Sequence, residues 1–108
     1  MLDFRPNEEQ KMLTETISRY SRERVRKVYR DAEEEGEIPE SLLKAGWEIG
    51  LLPTAMPEDF GGFGDYSAVT GALAFEEFAW GDLAVTLNVM TPNLVAIPLL
   101  LCGTEAQK

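Results

Sequence analysis

Between Ser67 and Cys102 the chain carries only three charges, Glu76, Glu77 and Asp82, on a stretch otherwise dominated by aliphatic and aromatic side chains. Residues this apolar must be covered. The cover is short: residues 1 to 40 hold 12 apolar side chains against 23 between 67 and 102. At 108 residues the chain has room for one domain, and a domain of this size buries only about two-thirds of the surface its unfolded chain exposes. The second half is therefore core material that the first half is too polar to enclose.

Punctuation and period divide the chain into helices. Asn7 stands as an N-cap before Glu8, Glu9 and Gln10, groups suited to the positive end of a helix dipole. Leu13, Ile17, Tyr20, Val25, Val28, Tyr29 and Ala32 then recur every three to five residues with no Gly or Pro before Gly36, which predicts one amphipathic helix over about 8–35. Arg19, Arg22, Arg26 and Arg30 form a basic stripe beside its apolar face, with Arg30 placed to offset Glu34 one turn on. The stripe reads either as a solvated face or as a docking surface. Pro39 suits the first turn of a short second helix carrying Leu42, Leu43, Trp47 and Ile49, ending near Gly50 and packing on the first helix.

Residues 51–66 read as an irregular connection dense in Pro and Gly. Gly61-Gly62-Phe63-Gly64 follows no strand, lacks a Lys-Ser/Thr pair and is followed by Asp65, so its glycines are assigned to turns and close approach rather than to a phosphate cradle. Ser67 or Asp65 caps a third helix that is apolar nearly all round, and Gly81-Asp82 reads as a C′ glycine followed by an N-cap. Leu83, Val85, Leu87 and Val89 alternate as a strand would, but the Asp82 cap and the helical spacing of Leu83, Leu87, Met90 and Leu94 favour a helix. Pro92 and Pro98 predict an interruption, leaving two helical pieces within 82–102. The expected fold is all-α, a small orthogonal or up-down domain of four to five helices.

Several chemistries are excluded outright. The chain has no histidine, so Ser-His-Asp or Cys-His nucleophilic catalysis and histidine metal sites cannot be built from it. A net charge of −9 opposes binding to nucleic acid or anionic membranes. Its single cysteine, Cys102, cannot form an internal disulfide and is expected to be a buried, inert thiol. The longest unbroken apolar stretch, Leu94 to Cys102, is nine residues with Pro98 inside it, against the roughly 20 of a membrane span. The first ten residues lack the pattern of a signal peptide, and the expected location is the cytoplasm or an organellar matrix. Finally, Gly103 ends a helix and Thr104 with Gln107 writes a new capping box. One helical turn is unstable alone, so residue 108 is expected to be a cut point in a longer protein.

Taken in order, several motifs resemble the N-terminal α-helical domain of the FAD-dependent acyl-CoA dehydrogenases. They are Asn7-Glu8-Glu9-Gln10, Ile38-Pro39 with Gly46 and Gly50-Leu51-Leu52, the loop Met56-Pro57-Glu58-Asp59-Phe60-Gly61-Gly62-Phe63-Gly64, Phe75-Glu76-Glu77-Phe78-Ala79, Gly81-Asp82, and Cys102-Gly103-Thr104-Glu105-Ala106-Gln107-Lys108. The resemblance covers residues 1–108 and implies that a β-barrel-like middle domain and a C-terminal helical domain follow. It implies oxidation of an acyl-CoA thioester to the 2,3-enoyl-CoA, with FAD and the catalytic glutamate in those other domains, so that no catalytic, cofactor or metal ligand falls in this chain and the piece alone is inactive. Glu76 and Glu77, adjacent on a helix and pointing about 100° apart, are then structural.

The contribution the resemblance assigns to these residues is to the acyl pocket, at Thr86, Leu87, Met90 and Leu94. These positions share one helical face, and ordinary core packing stays open as their alternative role. Met90 departs from family members with a polar residue there, and its adaptable shape fixes no chain length. Asn88 and Asn93 receive no role. The implied partners are an acyl-CoA, an acceptor like electron-transfer flavoprotein and further copies of the chain in a homo-oligomer. Two other readings remain: a relative acting on carrier-protein-bound acyl groups, and a free-standing helical module that binds a partner through its apolar half.

Overall fold

Asn7 opens α1 (Glu8–Tyr20) with a complete capping box, its Oδ1 accepting from the Gln10 N–H at 2.8 Å while Gln10 Oε1 accepts from the Asn7 N–H at 2.9 Å. This computed structural model describes residues 3–64 and 67–108. The helical rod runs on through a π-helical turn, Ser21–Val25, into α2 (Arg26–Glu35), as one long amphipathic helix should. It stops at Gly36, whose φ of 71° is the left-handed conformation that favours glycine. Three of the four arginines of the basic stripe, Arg22, Arg26 and Arg30, lie against aromatic rings. Arg22 and Arg26 lie 5.1 and 4.7 Å from the Trp80 ring centre, and Arg30 bonds the Tyr29 hydroxyl instead of pairing with Glu34.

Two further helices frame the connection. In α3 (Glu40–Glu48), Trp47 donates its indole N–H to the Val89 carbonyl at 3.0 Å, and a Cβ on Gly46 would lie 2.8 Å from Val89 Cγ2. The element thus packs chiefly on the last helix rather than the first, because Gly46 lets that helix close in. Tyr20 supplies the tie to α1, donating to the Leu42 carbonyl at 2.8 Å. The stretch expected to be irregular contains α4 (Leu51–Thr54) and a 3₁₀ turn, Glu58–Phe60. At Gly62 a Cβ would sit 2.0 Å from the Met56 carbonyl oxygen, so chain approach requires glycine there.

The apolar half forms two helices joined through one extended residue. Ser67 caps α5 (Ala68–Gly81), accepting from the Thr70 N–H, while the alternative cap Asp65 lies outside the described residues. Asp82 caps α6 (Leu83–Cys102) by accepting from the Val85 N–H at 2.9 Å. Gly81 is not a left-handed C′ glycine. It sits inside α5 where the π turn presses close, a Cβ there lying 3.0 Å from Ser21 Cβ, and Ser21 Oγ donates to the Glu77 carbonyl at 2.9 Å. Pro92 and Pro98 do not divide α6 either. Each removes one backbone donor, but the helix continues past both.

The core gathers where α1, the π turn, α3 and the Asp82 end of the α5–α6 pair meet. Ile17, Tyr20, Val25, Leu42, Phe78, Val85 and Val89 are buried there, with the Tyr20 and Phe78 rings edge to face at 5.8 Å. The fold is all-α, with no strand among the described residues. Covering fails toward the end of α6: Leu94, Val95 and Leu101 are exposed, as are Phe75 and Trp80 on α5. Cys102 is exposed rather than buried, since no described element packs over that end. Among the described residues α6 is also the one helix long and apolar enough to cross a membrane by length and composition, at a mean hydropathy of 1.7. Its buried residues Val85, Thr86, Val89 and Met90 are part of this fold's interior.

Candidate functional site

Away from the Asp82 turn, α5 and α6 splay apart around a partly open cleft of about 330 Å³. Each helix contributes one stripe at i, i+3, i+4, i+7 spacing: Ala68, Gly71, Ala72 and Phe75 from α5, Met90, Asn93, Leu94 and Ile97 from α6. Three of the four α5 residues are small, and that makes the room. A Cβ added at Gly71 would meet nothing within 4 Å. Leu51 and Ala55 close the floor from α4 and the turn after it. The volume is near the lower end of the roughly 300–1,000 Å³ of small-molecule pockets, and the wall is mostly apolar, as such pockets are.

The polar groups on this wall are largely committed. Thr54 Oγ1 donates to the Leu51 carbonyl, Ser67 caps α5, and Thr70 Oγ1 accepts from Gln10 Nε2 at 2.9 Å, which ties α1 to α5. Asn93 has no hydrogen-bond partner for its amide among the described residues.

Of the four residues expected at an acyl site, the fold brings two to the cleft. Met90 is buried and faces it from beneath, and Leu94, 72% exposed, stands at its edge. Thr86 is wholly enclosed, its hydroxyl donating to the Asp82 carbonyl at 2.7 Å. Leu87 is on the surface, half exposed, and neither Thr86 nor Leu87 lines the cleft. The α5 stripe, Asn93 and Ile97 went unassigned in the sequence. The signal was there in the run Ala68, Gly71, Ala72, Phe75, where one helical face is too small to fill its own side of a helix pair.

The glycine loop does not suit the phosphates of a dinucleotide. The glycine loop spends its N–H groups on itself: Gly61 on Glu58, Gly62 on Pro57, Phe63 on Pro53 and Gly64 on Met56, all between 2.8 and 3.0 Å. A phosphate cradle needs such donors free and a helix N-terminus behind them. The glycine loop therefore offers no free N–H groups to the phosphates of FAD. No group of three or more His, Cys, Asp or Glu side chains suited to a metal occurs among the described residues.

Comparison with known proteins agrees with the motifs. Residues 7–108 match the family model described as acyl-CoA dehydrogenase, N-terminal domain. The chain is 30% identical over 107 residues to a probable medium-chain specific acyl-CoA dehydrogenase 2, mitochondrial, of Caenorhabditis briggsae, covering 99% of this chain and 26% of that protein. It is 29% identical over 102 residues to a cyclohexane-1-carbonyl-CoA dehydrogenase of Geobacter metallireducens, covering 94% of this chain and 27% of the relative. With a (2S)-methylsuccinyl-CoA dehydrogenase of Cereibacter sphaeroides it shares 34% identity over 104 residues, 94% of this chain and 19% of the relative. The chain thus spans about a quarter or less of the length of these relatives. With the family model matched along nearly its whole length, the chain belongs to the acyl-CoA dehydrogenase family, in the part that forms the N-terminal domain.

Proposed function

We propose that this chain is the N-terminal part of a FAD-dependent acyl-CoA dehydrogenase, which oxidises an acyl-CoA thioester to the 2,3-enoyl-CoA, and that it contributes one wall of the acyl-chain pocket. The observation that carries the reading is the family match over residues 7–108. The cleft supports it by offering a mostly apolar wall of suitable size. In this reading Met90 and Leu94 touch the chain, Leu87 extends their wall by a turn, and the enclosed Thr86 holds that wall in place. The catalytic base and the residues that hold FAD belong to a middle β domain and a C-terminal helical domain, and the 108 residues alone turn nothing over. The acceptor resembles electron-transfer flavoprotein, and the working enzyme is a homo-oligomer in the cytoplasm or an organellar matrix.

The test uses the complete protein with its flavin, mixed anaerobically with straight-chain, alicyclic and branched acyl-CoA thioesters and with the same acyl groups on a carrier protein. Bleaching of the oxidised flavin band by at least one CoA thioester is expected. Reduction by carrier-protein thioesters only would transfer the reading to the carrier-protein relatives, and no reduction by any thioester would end it. Met90→Trp tests the site. Filling the cleft from beneath should lower kcat/KM for long acyl chains by about tenfold or more relative to short ones, and an unchanged chain-length profile would remove Met90 from the pocket.

A further inference from the structure

The turn of α6 that carries Met90 has a weakened ladder. Pro92 brings no N–H to the Asn88 carbonyl, and a proline ring crowds the carbonyl four residues before it. Met90 sits between these two positions, buried and at the same time part of the cleft wall. Its unbranched side chain turns about several bonds, so the backbone beneath it has to fix where it points. A loosened turn is a poor base for that.

Support comes from α3. Trp47 donates its indole N–H to the Val89 carbonyl at 3.0 Å, and among the described residues this is the one hydrogen bond that joins α6 to another helix. The Val89 carbonyl belongs to the planar peptide unit whose nitrogen is that of Met90. Holding its oxygen therefore holds the plane from which Met90 departs. The Val89 side chain is seated as well, on Gly46, where an added Cβ would come 2.8 Å from Cγ2. Two consecutive residues of α3 thus grip Val89, one at its side chain and one at its carbonyl. Trp47 itself lines no part of the cleft, and at 38% exposure its ring stands at the edge of the core.

We propose that Trp47 is a positioning residue for the acyl pocket: from outside the cleft it fixes the peptide that carries Met90 and so sets where the far part of an acyl chain meets the wall. The inference rests on the acyl-pocket reading above and adds to it a determinant on a helix that the cleft does not include. Gly46 and Trp47 together make α3 the seat on which that wall is aimed.

The complete flavin-loaded protein and its Trp47→Phe variant, which keeps an aromatic ring and loses the donor, are compared over straight-chain thioesters from butanoyl-CoA to palmitoyl-CoA. KM for the longest chains that the parent accepts should rise about fivefold relative to the shortest, the worth of one net hydrogen bond. The effect should fall on KM more than on kcat, because the bond that is oxidised lies at the thioester end of the chain. An equal change at every chain length, or none, would make Trp47 a purely structural residue and overturn the inference while leaving the dehydrogenase reading intact. Absence of flavin reduction in the parent by any thioester would overturn both. Action through Met90 is read in a second background. With Met90→Ala already present, Trp47→Phe should move the long-to-short KM ratio by less than about twofold, and the full shift there would likewise overturn the inference. Should Trp47→Phe fail to fold, benzothienylalanine at position 47, which keeps the bicyclic shape and lacks the N–H, decides in its place.

Discussion

The two ends of the α5–α6 pair are built from the same kind of residue and end up in opposite conditions. Near Asp82, Phe78, Val85 and Val89 are at most 2% exposed, pressed between α1, the π turn and α3. Away from it, Leu94, Val95 and Leu101 are 68% to 74% exposed, and α4 with the turn after it is the cover that the described residues provide. Apolar content cannot distinguish these ends. The neighbours do: small residues at Gly46 and Gly81 admit close approach at the first end, and small residues at Ala68, Gly71 and Ala72 leave space at the second. The same device, a missing side chain, gives tight packing where a partner helix follows and an open cleft where none does.

The largest test of this contrast is a pair of identical truncations on α5. Phe78→Ala removes a ring that is 1% exposed and packed on Tyr20, and should cost about 3–5 kcal/mol in denaturant unfolding. Phe75→Ala, at 39% exposure on the cleft wall, should cost less than about 1 kcal/mol. Equal costs would mean that the cleft end is as well packed as the core. A smaller version of the comparison lies on α6. Val89→Ala should cost about 2 kcal/mol, because Val89 is 1% exposed and wedged on Gly46, while Val95→Ala, at 68% exposure, should stay within about 0.5 kcal/mol.

This contrast also marks how far the sequence was readable. The long helix, its Asn7 start and its Gly36 stop were legible because caps and a 3.6-residue period are local signals, and they appear where expected. The Asp82 cap was legible for the same reason, and it outweighed the strand-like alternation after it. The π turn at Ser21–Val25 was not, because it answers to Gly81 some 60 residues away rather than to its own sequence. Within α5 and α6 the apolar residues lie on every face, so period carries no information about which face is buried. That is why Cys102 was expected inside and is found outside. Thr86, Leu87, Met90 and Leu94 were grouped by the family resemblance, and of these Met90 and Leu94 line the cleft.

The smallest effect probes the packed end through Tyr20, the one buried phenol among the described residues. Tyr20 donates to the Leu42 carbonyl, and burial pushes its pKa up to about 12, with Arg24 acting weakly in the opposite direction. The unfolded chain ionises a tyrosine near 10. Because the folded value is the higher, the contribution is fully present below about pH 10 and is lost as pH rises toward 12, where the unfolded state has already released its proton. Tyr29, on the same rod but only half-buried, is shifted the other way, chiefly by its hydrogen bond from Arg30. Ultraviolet titration should therefore resolve one phenol ionising below the ordinary value and one above it. Tyr20→Phe should cost about 1 kcal/mol at neutral pH, from the lost hydrogen bond, and should flatten the fall in unfolding free energy between pH 10 and 12. If that fall is as steep in the variant as in the parent, the Tyr20 hydroxyl is in contact with water, and the end of the helix pair described as closed is open to solvent as well.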